Sequence, residues 1–400
     1  MERFKLYCAE KAPVGAAPDA LAAFAPDAVS PVYAFHRGLP LYAPTPLTAL
    51  PAMAAHLGVR QFLVKDESAR FGLNAFKALG GSYAIARCLC GRFGLPMDES
   101  TFARLRVSPL REEIGKMTFI TATDGNHGRG VAWTAHILGC RAVVYLPKGS
   151  AKERLENIRA LGAEAEITDF NYDDTVRRAK AVAEEKGYTL IQDTAWPGYE
   201  KIPTAIMQGY TTMAREISDQ LSESSHLPPT HLFLQAGVGS MAGAVAAYFT
   251  NLWGEECPRI IVVEPDQADC VFRTAAAHDG RLHTVTGDMN SMMAGLCCGE
   301  PCPIGWEALR RTASAYVSCG DQYAADGMRL LGRPMGRDPR IVSGESGAVT
   351  TGVAAALMRE SGPEGQAMRQ RLRLDGNARI LVISTEGDTD RENYARILSE

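Results

Sequence analysis

The run Thr118-Phe119-Ile120-Thr121-Ala122-Thr123-Asp124-Gly125-Asn126-His127-Gly128 starts as a β-branched, aromatic strand and breaks into a polar, glycine-bearing turn. A helical pattern follows over 128–138, and a Val-rich strand over 142–146. Strand, helix and strand in about 30 residues make a βαβ unit, which sets the two strands parallel. Outward from this unit the alternation repeats. Strands are expected at 61–64, 165–168, 189–192, 231–235, 260–263 and 380–383. Helices are expected at 75–90, 151–161, 173–186, 204–221, 241–253 and 346–359. Several strands are unbroken Val/Ile/Leu runs, as sheets covered by helices on both faces require. The fold class is therefore α/β, with mostly parallel twisted sheets flanked by helices. The four strand–helix units between 117 and 200 are expected to form a small inserted α/β domain, drawn at 86–204. Residues 1–85 and 205–400 then build the larger domain.

Composition narrows the function. The chain has 400 residues, 46% hydrophobic and 22% charged, which suits two globular domains. A net charge of −4 with interspersed signs gives no basic stripe for nucleic acid and no polybasic cluster for anionic lipid. Met1 to Cys8 has no apolar core of a secretory kind, and no apolar run reaches the roughly 20 residues of a membrane span. A cytoplasmic enzyme acting on a small molecule is expected. Ten cysteines in this length do not make a disulfide scaffold, and none sits at zinc-ligand spacing, so no metal is expected. A local pairing of Cys270 with Cys297 or Cys298 stays open.

Three places carry chemistry on their own residues. Lys77 follows a turn-prone Gly72-Leu73-Asn74 and lies just inside a helix start, between Ala75, Phe76, Ala78 and Leu79. A lone lysine is usually solvated, but an apolar setting lowers an amine's pKa and makes it a nucleophile. The Thr123–Gly128 turn offers backbone N–H groups to an anion at a helix start, and reads equally as an Asx turn with an N-cap. Gly237-Val238-Gly239-Ser240-Met241, again between strand and helix, is a cradle for a phosphate. A rival reading takes Gly237, Gly239 and Glu264 as a dinucleotide fingerprint, although the third glycine falls one residue late.

Taken in order, Thr45-Pro46-Leu47, Leu57-Gly58, Leu63-Val64-Lys65-Asp66-Glu67 and Phe76-Lys77-Ala78-Leu79-Gly80 resemble the opening of the fold-type II pyridoxal 5′-phosphate (PLP) enzymes. The resemblance runs from Thr45 to Asp390 and implies that Lys77 carries the cofactor as a Schiff base. It assigns the substrate carboxylate to the loop of Thr123, Gly125 and His127. Asn126 is implied at the cofactor's phenolic oxygen, and Gly237, Val238, Gly239, Ser240 and Met241 at its phosphate. His127 is expected to brace the turn and not to transfer protons. In Leu381-Val382-Ile383-Ser384-Thr385-Glu386-Gly387, Ser384 matches best the hydroxyl that faces the pyridine nitrogen, with Thr385 its neighbour. Such a hydroxyl leaves the nitrogen largely unprotonated, which favours β-elimination. Glu345 in Ser343-Gly344-Glu345-Ser346 is placed near the cofactor, and reads equally as a helix-capping glutamate.

Two aspartates narrow the resemblance. Asp124 stands where the broad family carries a small uncharged residue, and is read as a general base opposite Lys77 or as a helix N-cap. Asp193, at a strand end in Gln192-Asp193-Thr194, is implied to hold a second ammonium on the substrate. The branch so defined also shares Glu264-Pro265-Asp266-Gln267-Ala268-Asp269-Cys270 and Met293-Ala294-Gly295-Leu296. It implies cleavage of D- and L-2,3-diaminopropionate to pyruvate and two ammonia, in a homodimer. The competing readings are a serine or threonine dehydratase, an NAD(P) oxidoreductase and a non-catalytic scaffold.

Overall fold

The computed structural model describes residues 4–9, 19–123 and 125–400. Among them lie eleven strands in two sheets. The strands are β1 (Lys5–Cys8), β2 (Leu47–Ala49), β3 (Gln61–Asp66), β4 (Thr118–Ala122), β5 (Arg141–Leu146), β6 (Glu164–Ile167), β7 (Thr189–Leu190), β8 (His231–Gln235), β9 (Arg259–Pro265), β10 (Ala313–Cys319) and β11 (Arg379–Ser384). Six helices frame the site: α1 (Ala78–Phe93), α2 (Asn126–Leu138), α3 (Tyr172–Lys186), α4 (Lys201–Glu223), α5 (Ser240–Trp253) and α6 (Glu345–Arg359).

The larger sheet runs β1-β10-β9-β8-β11-β3-β2, parallel except at its edges, where β1 and β2 pair antiparallel. The smaller runs β6-β5-β4-β7 and is wholly parallel. In the larger sheet, Phe62 and Val64 pack into one apolar core while Leu63 packs into another. Both faces are thus dry, which is why the runs are continuously apolar.

All eight expected strands exist. Three more were not foreseen: the short edge strands β1 and β2, and the inner strand β10. The sequence of β10, Ala-Ser-Ala-Tyr-Val-Ser-Cys, carries a single β-branched residue, and its neighbours β1 and β9 together with burial select the strand. One boundary matters for the site. Helix α1 begins at Ala78, so Lys77 is its N-cap residue and not an interior one. No disulfide joins any of the ten cysteines, Cys270, Cys297 and Cys298 included.

Each sheet has a switch point where the strand order reverses. From β8 the chain proceeds to β9 and β10 on one side while β11 lies on the other; from β4, β5 and β6 lie on one side and β7 on the other. Crevices open at the carboxyl ends of strands at such points. Here the two crevices share one cleft.

Candidate active site

The cleft takes its walls from both switch points. Lys77 enters from the loop after β3. That loop is pinned to the end of β11: the Phe76 N–H donates to the Thr385 carbonyl at 3.1 Å, and Ala75 bridges Glu386. Behind it α1 and α4 pack at glycines. A Cβ on Gly209 would stand 2.4 Å from the Leu79 carbonyl oxygen, and one on Gly80 2.5 Å from the Tyr210 ring. Any larger residue there would push the lysine's helix away.

The Lys77 ammonium lies 3.1 Å from Asp193 Oδ2, both side chains nearly buried. Asp193 follows β7, and Tyr172 at the start of α3 donates its hydroxyl to Oδ1 at 2.9 Å. Burial raises this carboxyl, but Lys77, His127 and the Tyr172 hydroxyl outweigh it and hold the group well below the usual carboxylate range. Ser240 ties the loop to the opposite wall by donating to the Asp193 carbonyl at 2.9 Å.

The turn after β4 is built on Thr123, whose Oγ1 accepts the N–H groups of Gly125 and Gly128, both at 2.9 Å. Gly125 has φ +140°, and a Cβ there would meet Arg154 Cδ at 2.9 Å. Asn126 opens α2 and faces the cleft. His127 is fully buried and its Nε2 bonds the Ile191 carbonyl at 2.7 Å, so it joins the β4 turn to the β7 end. Asp124 lies outside the described residues.

The turn after β8 has Gly239 at φ +89° as the N-cap of α5, which places the first N–H groups of that helix at the cleft. A Cβ on Gly237 would approach Cys298 Sγ at 3.2 Å and Leu296 Cα at 3.3 Å. The Gln235 side-chain amide reaches Thr385 Oγ1 at 2.8 Å and the Ser346 and Ile383 carbonyls at 3.0 Å.

Lys77, Asn126, Asp193 and Gly237 to Met241 therefore line one cleft. Thr123, Gly125 and His127 are not among its lining residues; they build the turn that carries Asn126. Ser384 stands apart from the lining: it is fully buried and donates to Ser343 Oγ at 2.8 Å, while the neighbouring Thr385 lines the cleft. Ser384 is the last residue of β11 and Thr385 the first beyond it, and their side chains take different surroundings. Glu345 is also outside the lining, on an adjoining cavity, where it accepts from Asn393. Burial, then the nearby Glu386 carboxylate, pushes it up to about 7. Glu264, the acid of the dinucleotide reading, is spent elsewhere: its oxygens accept the Val271 and Phe272 N–H groups at 2.9 and 2.6 Å. Gln235, Tyr172, Tyr210, Ser346 and Glu386 were missed as site residues. Glu386 had a signal, two residues beyond the implied hydroxyl position. The others are brought in by tertiary packing.

The family model for pyridoxal-phosphate dependent enzymes matches residues 39–386. The diaminopropionate ammonia-lyase of Escherichia coli strain K12 is 53% identical over 367 residues, spanning 92% of this chain and 90% of that protein. That of Salmonella typhimurium is 52% identical over 368 residues, with 92% and 91% covered. The crystal structure of the Escherichia coli enzyme in complex with an aminoacrylate-PLP azomethine reaction intermediate superposes with a TM-score of 0.88 at 47% identity, covering 100% of this chain and 97% of that one. The cleft's donors fit such a cofactor. They offer one amine, a helix start whose glycines leave room for a phosphate, and hydroxyl and amide groups on the opposite wall.

Proposed function

The chain belongs to the pyridoxal-phosphate dependent enzyme family, and we propose that it catalyses α,β-elimination of D- and L-2,3-diaminopropionate to pyruvate and two ammonia. The observation that carries this reading is the buried pair of Lys77 and Asp193 at 3.1 Å, in a chain 53% identical to an ammonia-lyase of that name. When Lys77 gives its nitrogen to the cofactor, Asp193 is left ionised and buried without its nearest cation. A β-ammonium on the substrate supplies that charge; the hydroxyl of serine or threonine does not.

PLP, when bound, supplies an aldehyde for the substrate amine and a ring that draws electron density from Cα. The chain's residues do the rest. Gly237 to Met241 hold the phosphate with the N–H groups at the start of α5, and Asn126 meets the phenolic oxygen. Thr385, steadied by Gln235, is the better placed hydroxyl for the ring nitrogen, with Ser384 behind it. The Thr123 and Gly125 turn, braced by His127, takes the substrate carboxylate. Lys77 withdraws the Cα proton of the L form. Asp124 is assigned, from the sequence, to the D form on the opposite face, and Asp193 orients the leaving β-amine. Asp124→Asn is expected to reduce turnover of the D substrate far more than that of the L, and equal losses would refute this division. The same reading places the chain in the cytoplasm, with its ten cysteines outside any disulfide, as a homodimer with 86–204 as its small domain.

The test is the visible spectrum of the purified protein with added PLP, while pyruvate is followed from each enantiomer. A band that Lys77→Ala abolishes, with pyruvate from both enantiomers, is expected. Pyruvate from serine or threonine alone would keep the family and discard the substrate.

A further inference from the structure

Glu386 is buried, lies two residues beyond β11, and lines the cleft, yet none of the roles above uses it. Its two carboxylate oxygens are divided between two close donors, with the Thr389 hydroxyl a third at 3.5 Å from Oε2. Oε2 accepts from Asn126 Nδ2 at 2.5 Å, and Oε1 accepts the Ser346 N–H at 3.1 Å. Its backbone is fixed as well, since its carbonyl accepts the Gly344 N–H at 3.0 Å and it bridges Ala75, two residues before Lys77. Room has been kept for it. A Cβ on Gly344 would stand 3.1 Å from Glu386 Cγ, and one on Gly347 3.0 Å from its carbonyl oxygen.

Asn126 belongs to the smaller sheet's turn and Glu386 to the larger sheet's, so their bond crosses between the two sheets that form the cleft. A carboxylate can only accept. It therefore fixes which end of the Asn126 amide faces it, and leaves the second N–H and the oxygen of that amide with a defined direction. Glutamine could not replace it at equal cost: it has one acceptor oxygen for two donors, so its NH₂ would face either Asn126 Nδ2 or the Ser346 N–H.

We propose that Glu386 is a positioning residue for the elimination, holding the Asn126 amide in one orientation and at one distance from the Lys77 loop. The inference rests on the functional reading above.

The experiment compares wild-type and Glu386→Gln holoenzymes. The variant is expected to bind PLP and lose about tenfold in kcat, with KM for diaminopropionate within about twofold. A purely structural role would lower stability and leave kcat per folded, PLP-loaded site unchanged. Wild-type kcat in folded, PLP-loaded Glu386→Gln would overturn the proposal, provided the wild-type band is present. A wild-type protein with no band refutes the functional reading itself. Should Glu386→Gln fail to fold, a cycle of Glu386→Asp and Asn126→Ala decides. The proposal requires the double variant to be no more than about twofold slower than Asn126→Ala, and losses that multiply overturn it.

Discussion

Twelve residues apart in one segment, Lys65 and Lys77 both sit in apolar runs and both meet a buried carboxylate, yet the structure uses them in opposite ways. Lys65 Nζ has three acceptors: Glu216 Oε2 and the Thr45 carbonyl, both at 2.7 Å, and Gln220 Oε1 at 3.0 Å. An ammonium has three protons, so every one is matched. Arg70 binds the same glutamate at 2.7 Å, and Glu67 at 2.8 Å, closing a network from which water is shut out. Lys77 and Asp193 instead meet in a cleft wall, at 3.1 Å and with 15% and 8% of their side chains exposed. A fully matched ion cluster has nothing left to offer a ligand. A looser pair at an opening can exchange one partner for a substrate.

The contrast can be broken most directly by removing each amine. Lys77→Ala is expected to abolish the visible band and essentially all turnover while leaving the melting temperature within a few degrees. Lys65→Met should do the reverse. Breaking a buried pair costs about 3–5 kcal/mol, and the lower end applies because Arg70 still neutralises Glu216. The folded fraction should turn over normally. Denaturant unfolding and the specific activity of the soluble fraction separate the two. Loss of catalysis in well-folded Lys65→Met would erase the distinction. Acid sharpens it. Burial raises Glu216, but Arg70 and Lys65 outweigh this and hold it at about 2, below the ordinary 4.5. A carboxyl depressed in the fold stabilises above its unfolded value, and that stability is lost as pH falls from about 4.5 toward 2. Without Lys65 the depression shrinks, so Lys65→Met should begin to unfold at a higher pH than wild type.

The next effect concerns the carboxylate that Lys77 meets. Asp193→Asn keeps the shape and the Tyr172 contact but removes the charge a second ammonium needs. The expected loss in kcat/KM is about 10–100-fold for diaminopropionate, the value of a charge-assisted hydrogen bond, and far less for serine. Equal losses on both substrates would mean that Asp193 serves Lys77 alone.

The same pair of lysines shows what the sequence could disclose. Apolar neighbours marked Lys77 as unusual, but Leu63 and Val64 flank Lys65 just as closely. Local pattern recovers strands, helices and the turns at strand ends, because those depend on periodicity and on glycine. That is why β4, β8 and the Gly237 to Met241 turn were legible. It does not report which acceptors a fold brings to an amine. Thr45, Glu216 and Gln220 reach Lys65 from up to 155 residues away. Family resemblance supplied what local pattern lacked for Lys77, Asn126 and Asp193. It was silent on Glu386, whose role depends on one side chain crossing from the larger sheet to the smaller. For the hydroxyl at the end of β11, the motif narrows the choice to Ser384 and Thr385, and only packing shows that Ser384 meets Ser343 while Thr385 lines the cleft.

The smallest effect tests the wall facing the lysine. Gly239 has φ +89°, where an L side chain costs about 1–2 kcal/mol, and its Cβ would also press Leu309 and Val271 at 3.3 Å. Both contacts are ends of flexible side chains, so the backbone term should dominate. Gly239→Ala is therefore expected to weaken PLP binding about tenfold, the change that 1.4 kcal/mol makes in a dissociation constant. It should leave the preference for diaminopropionate over serine unchanged, since that preference is assigned to Asp193 on the other wall. A variant whose cofactor affinity is intact but whose substrate preference has shifted would mean that the two walls are coupled, through the bond from Ser240 Oγ to the Asp193 carbonyl. The looseness of the Lys77 pair would then be set by the glycine turn rather than by the cleft opening.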